Sequence, residues 1–224
     1  MFYRFVKRGF DIFNSSLALI ILAPIFLFVS LGIKISSKGP VFYVSERIGK
    51  GNTPFKMYKF RSMHIRQEGS IESKYLVNEQ RIFRFGKFIR KSKLDELPQL
   101  INILVGDMSI IGPRPYPKKF TEKYFIDDYS IITMVRPGLS CLDSLYDYAH
   151  GELFVTDEKK YARDILPVRT ELARIYIERR SISLDIYCII RTIQLIYEIA
   201  VLKRNSFKYT AYEKEVLDHH LNKK

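Results

Sequence analysis

IFNSSLALIILAPIFLFVSLGI, residues 12–33, runs from just after Asp11 to just before Lys34 without a single charge. Its length is close to the roughly 20 residues a helix needs to cross the hydrocarbon core of a bilayer. Two features complicate a simple crossing. Pro24, near the middle, removes one backbone hydrogen bond and presses on the preceding turn, so a kink is expected. Both flanks are basic, with Arg4, Lys7 and Arg8 before and Lys34 and Lys38 after, a bias carried by cytoplasmic segments. A segment that enters one leaflet, bends at Pro24 and returns reconciles these signals. A proline-kinked spanning helix is the alternative, and the residues alone favour neither. A cleaved secretory signal fits poorly, because the apolar run is long and no small-x-small site follows Ile33.

The charge around this segment points the same way. The 224 residues carry a formal net charge of +13 with 47% hydrophobic residues, so a folded core is expected. Residues 1–94 hold 18 Lys+Arg against 5 Asp+Glu, and the remainder is balanced. The basic excess thus belongs to the part that carries the apolar run, where it suits anionic headgroups or phosphorylated substrates. Nucleic acid is not the expected partner, since no helix-turn-helix, zinc-finger or RNP-type pattern is present. Cys141 and Cys188 suit a reducing cytosol better than a disulfide framework, and the four histidines show no zinc spacing.

Beyond Lys38 the pattern shifts. Residues 41–48 and 54–62 alternate apolar and polar positions across a Gly-rich turn at 49–52, which predicts a β-hairpin. Residues 64–80 are polar, a loop or loose helix. RIFRFGKFIRK, residues 81–91, interleaves aromatic and basic residues and suits the membrane interface; a solvated basic helix with a core-facing Phe stripe is the other reading. Leu97, Leu100, Ile101 and Leu104 recur at helical spacing up to Gly106. GDMSIIGPRPYP, residues 106–117, is a loop whose prolines restrict the backbone around Arg114. A helix is expected near 118–130, a turn with Arg136 at 135–140, and helix over 157–180 with a break at Pro167. Residues 183–202 form a last apolar helix, too charged at Asp185, Arg191 and Glu198 for a comfortable span.

Within KSKLDELPQL, Asp95 and Glu96 stand at the expected start of a helix. Ser92 and Asp95 have capping-box spacing, or Asp95 is itself the cap with Pro98 in the first turn. A helix start also offers donors and partial positive charge to phosphate. Side chains of adjacent helical residues diverge by about 100°, so the two carboxylates flank a site. Surrounding cations are expected to keep Asp95 ionised, as a nucleophile or metal ligand must be. Mg²⁺ is commonly held by one or two carboxylates with substrate phosphates. On residue types alone, capping and chemistry both stand.

KGPVFYVSERIG, FKMYKFRSM, KSKLDELPQLINILVGDMSIIGPRP and VRPGL follow in order after a basic start and a proline-containing apolar run. This set resembles the bacterial sugar transferases, specifically the small monotopic polyprenyl-phosphate sugar-1-phosphate (phosphoglycosyl) transferases, over residues 4 to 200. The resemblance implies an enzyme at the cytoplasmic face of the bacterial inner membrane. It would move a sugar-1-phosphate from a UDP-sugar donor to a polyprenyl (undecaprenyl) phosphate acceptor and release UMP, so initiating polysaccharide or glycoconjugate assembly ahead of downstream glycosyltransferases. By the same resemblance, Asp95 forms a covalent phosphosugar intermediate and Glu96, with Asp95, binds Mg²⁺ or positions the reacting groups. Pro24 marks the re-entrant break. Arg114 is the foremost phosphate ligand, followed by Arg90 and Arg61; Arg136 and Asp185 sit in family-like contexts without assigned partners. A catalytically silent membrane scaffold is the alternative function.

The implied fold is α+β and mostly helical: a re-entrant, Pro-broken membrane helix in residues 1–38, then a cytoplasmic catalytic domain in 39–204. That domain would hold a small β-hairpin and amphipathic interfacial helices; a polar tail, 205–224, follows. One departure concerns the sugar pocket. Where many relatives carry an aromatic-rich stretch ending in Gly-Arg-Asn, this chain reads SCLDSLYDYAHGELFVTDEKKYARDILP, residues 140–167, as another branch does.

Overall fold

In the computed structural model, residues 2–65, 81–124, 129–150, 158–204 and 206–221 are described. The apolar segment is part of two helices, α1 (Phe2–Ile21) and α2 (Ala23–Ser36), which meet at Leu22 with a bend of 60°. Pro24 explains the place: it cannot donate to the carbonyl of Ile20, and its ring occupies that carbonyl's space, so α1 ends and α2 restarts with proline in its first turn. Among the described residues no single helix is long and apolar enough to cross a membrane, whereas this bent pair is by length and composition. Ile20, Ile21, Leu27, Phe28 and Leu31, around the bend, are exposed.

The expected hairpin is present as β1 (Phe42–Ile48) and β2 (Pro54–Phe60), antiparallel with Phe42 opposite Phe60 and Ile48 opposite Pro54. Val29 and Ile33 of α2 pack on Phe60, Phe83 and Ile89, bringing the hairpin against α3 (Arg84–Lys91). Phe83, just before α3, and Ile89 within it enter the core, as the core-facing reading of the basic-aromatic stretch expected, while Phe88 stays exposed. Residues 66–80, expected as loop or loose helix, lie outside the described residues.

The helix expected from Leu94 to Gly106 is divided. A 3-10 turn, Leu94–Glu96, precedes α4 (Gln99–Val105), with Leu97 and Leu100 donating to carbonyls three residues back. Pro98 has no N–H to continue an α-helical ladder, which is the physical reason for the division. Gly106 closes α4 in the left-handed region (φ 101°), a conformation that suits glycine. The chain then forms β3 (Ser109–Ile111), helices α5 (Lys118–Tyr124) and α6 (Tyr129–Ile132), and β4 (Gly138–Ser140). β3 and β4 pair in parallel, Ser109 with Gly138 and Ile111 with Ser140.

Helices α7 (Leu142–His150), α8 (Glu158–Lys160), α9 (Leu166–Arg179) and α10 (Ile182–Ala200) follow. Pro167 does not break the helical stretch: it sits in the first turn of α9, preceded by a wide turn over Tyr161–Ile165. The main core gathers Ile111, Leu142, Tyr146, Leu172, Tyr176 and the two cysteines, both free and buried. The stretch read as a polar tail contains α11 (Ala211–Leu221), whose Val216 is buried in that core.

α1 is fastened to this body by polar contacts. Asp11, buried, accepts from Ser109 Oγ at 3.1 Å and Ile110 N at 3.0 Å. Arg8 donates to the carbonyls of Ile103 and Leu104 at 2.6 and 2.9 Å, satisfying the last turn of α4. Asp185 accepts from Tyr3 (2.9 Å), Lys7 (2.8 Å) and Tyr176 (2.7 Å). The fold is thus α+β and mostly helical, with small sheets.

Candidate active site

The 3-10 turn that carries Asp95 and Glu96 is held by its approach. Lys93 adopts a left-handed conformation (φ 58°, ψ 12°), which reverses the chain between α3 and the turn. Neither capping arrangement is present: no side chain caps the turn or α4, and Ser92 Oγ donates back to Phe88 O at 2.9 Å. The acids are therefore free of a capping duty. Both are 8% exposed.

Their surroundings differ. Glu96 Oε1 receives Lys59 Nζ at 2.9 Å and Arg114 Nη2 at 3.2 Å, and Oε2 receives the Tyr148 hydroxyl at 3.4 Å. Although burial opposes ionisation, Lys59 and Arg114 hold the Glu96 carboxyl well below the ordinary glutamate range. Asp95 makes no side-chain hydrogen bond or ion pair among the described residues. Burial pushes its carboxyl above the ordinary aspartate value, and Lys59 offsets that only in part while Glu96 adds to it. The cations expected to keep Asp95 ionised do favour its charge, with Lys59 foremost and then Arg90 and Lys93, but the hydrogen bonds of Lys59 and Arg114 go to Glu96.

Lys59 reaches Glu96 because β2 is locked to α4. Asn102, fully buried, accepts from Tyr58 N at 3.0 Å and donates to Lys56 O at 2.7 Å, fixing strand against helix. Arg114 is placed by its loop. Its backbone N–H donates to Asp143 Oδ2 at 3.2 Å, and Asp143 in turn faces the buried Arg169 at 3.4 Å. Gly112 and Gly138 lie so close that a Cβ on Gly138 would stand 2.1 Å from Gly112 N. Arg114 Nη1 is within 3.3 Å of the Tyr148 hydroxyl, and Lys93 Nζ lies 4.0 Å over the Tyr148 ring.

Of the residues singled out in the sequence, the structure brings Asp95, Glu96 and Arg114 together. Arg90 is half-buried at the end of α3 and exerts a favourable charge on Asp95 without a contact. Arg61 is directed into the fold instead: 4% exposed, it donates to Pro40 O (2.6 Å), Ser37 Oγ (2.8 Å) and Ser37 O (2.7 Å), tying the hairpin to the end of α2. Arg136 donates to Gly106 O at 2.7 Å, at the opposite end of α4 from the dyad. Asp185 fastens α1, and Pro24 sets the bend.

Lys59, Lys93, Tyr148 and Asp143 were not legible as site residues. Lys59 gave a faint signal, since it shares a strand face with Met57, which packs on α4. A lysine on an inward face needs a carboxylate. Tyr148 and Asp143 lie in the 140–167 stretch, whose departure from the common pattern marked the region and not the residues.

A divalent cation would find few ligands here beyond the dyad, since no group of three or more His, Cys, Asp or Glu residues stands ready for a metal among the described residues. The available donors, the Asp95 carboxylate and Glu96 Oε2, suit Mg²⁺ only if substrate phosphates and water complete its shell.

An acid buried without partners among the described residues, beside a clamped acid, lysines and a loop-borne arginine, is an arrangement whose charges suit an anionic ligand such as phosphate. Comparison with known proteins agrees: the family described as bacterial sugar transferase matches residues 2–198. The chain belongs to that family. It is 37% identical over 196 residues to the UDP-N-acetylgalactosamine-undecaprenyl-phosphate N-acetylgalactosaminephosphotransferase of Aeromonas hydrophila, covering 87% of this chain and 44% of that one. It is 38% identical over 139 residues to the UDP-glucose:undecaprenyl-phosphate glucose-1-phosphate transferase of Escherichia coli, 61% of this chain and 30% of that one. A Rhizobium leguminosarum exopolysaccharide production protein is 36% identical over 194 residues, 84% of this chain and 93% of that one. The chain thus spans less than half the length of the first two relatives and nearly all of the third.

Proposed function

We propose that the chain is a phosphoglycosyl transferase that moves a sugar-1-phosphate from a UDP-sugar to a polyprenyl phosphate, releasing UMP and so starting assembly of a polysaccharide or glycoconjugate. The observation that carries this reading is the asymmetry of the dyad. Glu96 is engaged by Lys59, Arg114 and Tyr148, while Asp95 is desolvated and uncommitted. A carboxylate that has shed its hydration and accepts from no partner is a prepared nucleophile.

In the first displacement, an Asp95 carboxylate oxygen bonds to the phosphorus bearing the sugar. The phosphoanhydride bond breaks and UMP leaves with its electron pair. In the second, an oxygen of the polyprenyl phosphate bonds to that phosphorus, the acyl-phosphate bond breaks, and the carboxylate is restored. Arg114 supplies fixed positive charge to the phosphoryl oxygens, and Glu96 keeps that guanidinium in place. Lys93, close to both acids, adds charge at the same spot. Mg²⁺, held by Glu96 with Asp95 and the substrate phosphates, would neutralise diphosphate charge.

The lipid acceptor calls for a membrane address. The basic residues 1–94, the bend at Leu22 and the exposed apolar residues around it support a re-entrant segment at the cytoplasmic face of the bacterial plasma membrane. A silent scaffold would need neither an uncommitted buried aspartate nor a clamped Arg114. Protein purified in detergent with Mg²⁺, undecaprenyl phosphate and a panel of UDP-sugars should release UMP from one or a few donors. Asp95→Asn should lower turnover by at least 10³-fold, a typical order for losing a nucleophile, and abolish the phosphosugar adduct seen by intact-protein mass spectrometry. Near-normal turnover of that variant would sink the covalent route.

A further inference from the structure

A second concentration of positive charge lies away from the dyad. The first turns of α1 and the end of α9 enclose a cleft of about 810 Å³ lined by Tyr3, Arg4, Phe5, Arg8 and Arg180. A narrower pocket sharing four of these residues reaches Lys50 and Arg136. Arg8 and Arg136 bind carbonyls at the C-terminal end of α4, whereas Asp95 and Glu96 precede its N-terminal end. Seven helical residues, at 1.5 Å each, put roughly 10 Å between the two sites along that axis.

These cations are not balanced within the fold. Lys7 is neutralised by Asp185, and the Asp11 carboxylate that lines the pocket accepts from Ser109 and Ile110. Arg4 and Lys50 have no side-chain partner among the described residues. Among the described residues, Arg180 donates to Ile177 O and Arg136 through Nε to Gly106 O, and neither meets a carboxylate there. Arg4 and Arg180 line both the cleft and the narrower pocket, where Lys50 and Arg136 join them; their like charges repel, and a bound anion would reverse the sign of that energy.

The rim identifies the kind of anion. Phe2 and Phe5 on α1 are exposed, and so are Ile182, Ile186, Ile190 and Ile193 on α10, spaced to form one stripe. Phe5 lines the cleft itself, and Asp185 joins α10, which carries the isoleucine stripe, to α1 through Tyr3 and Lys7. A soluble anion has no use for such a rim; an amphiphile has. We propose that this cleft binds the phosphate headgroup of an anionic membrane lipid, at a site separate from the dyad. The proposal rests on membrane association but not on the sugar-phosphate transfer.

The test uses the full chain in uncharged detergent, with the midpoint of thermal unfolding as readout, since a ligand of the native state raises it. The probes are dihexanoyl phosphatidylglycerol, dihexanoyl phosphatidylcholine and inorganic phosphate. Phosphatidylglycerol should raise the midpoint saturably, with phosphatidylcholine at least tenfold weaker. The combined variant Arg4→Gln, Lys50→Gln, Arg180→Gln should need on the order of a hundredfold more phosphatidylglycerol for the same shift, the effect expected for three lost headgroup cations. A control with equal charge loss, Lys119→Gln, Lys208→Gln, Lys214→Gln, should stay within twofold of wild type. Asp95→Asn should respond like wild type, so a failure of the transfer chemistry leaves this result standing. Equal responses of wild type and the combined variant overturn the site. Inorganic phosphate reproducing the shift overturns the lipid assignment, and loss of response in Asp95→Asn would move the lipid to the dyad.

Discussion

Asp95 and Glu96 are neighbours in the chain, yet opposite physical terms govern their charges. For Asp95, burial outweighs the surrounding cations, so its folded-state value lies above the ordinary 3.8 and its ionised form is disfavoured on folding. Asp95→Asn should therefore raise the unfolding midpoint at pH 7, and the difference should close as pH falls through the raised value. For Glu96, the partners outweigh burial, so its contribution is present above the ordinary 4.5 and is lost as pH falls toward its lowered value. Glu96→Gln should destabilise at pH 7 by about 3–5 kcal/mol, since Lys59 and Arg114 lose their shared acceptor, with the difference narrowing below pH 4.5. Thermal unfolding of the three proteins across pH checks both signs. Kinetically, an attacking Asp95 must be ionised, so turnover should fall on the acid side. Lys59 is the largest charge that lowers Asp95, and Lys59→Gln should move that acid limb to higher pH.

At the scale of elements, the site exists because a strand, a turn and a loop are locked to each other. Asn102 is the lock between β2 and α4, and Asn102→Ala would leave Tyr58 N–H and Lys56 C=O, part-buried between strand and helix, without partners. A loss of about 2–4 kcal/mol is expected from denaturant unfolding, one desolvation penalty for each group. The β3–β4 pair anchors the Arg114 loop through the close approach of Gly112 and Gly138. In Gly138→Ala the added methyl meets backbone that cannot yield, so stability should fall by about 1–3 kcal/mol, and turnover should fall with it as Arg114 leaves Glu96. A denaturation midpoint unchanged in either variant would contradict these locks.

For the whole molecule, the polar ties of Asp11, Arg8 and Asp185 join a helix pair bent by 60° at Leu22 to the rest of the fold. A re-entrant arrangement requires both ends of that bent pair on one side of the membrane. Single cysteines at Arg4 and Lys38 should label with an impermeant maleimide from the cytoplasmic side only; periplasmic labelling of either would reject it. Cys141 and Cys188 are buried and give a low background.

The sequence by itself determined the kinked apolar segment and the β-hairpin. Both rest on interactions local to a few residues, proline's missing N–H and the alternation of strand residues, whereas Asp95 and Glu96 are singled out by the resemblance that the ordered LDELPQL and GPRP motifs carry. It also pointed to Arg114, because prolines restrict that loop whatever surrounds it. Only the tertiary structure decided which acid is clamped and which is left free. Lys59, Arg114 and Tyr148 reach Glu96 from positions 37 residues before it and 18 and 52 residues after it. It likewise turned Arg61 into a tie between α2 and the hairpin, gave Asp185 to α1, and folded part of the polar C-terminal stretch onto the core through Val216. The reason is range. Helix, turn and strand preferences act over one or two turns of chain, while burial and charge pairing depend on which distant residues the packed core brings into contact.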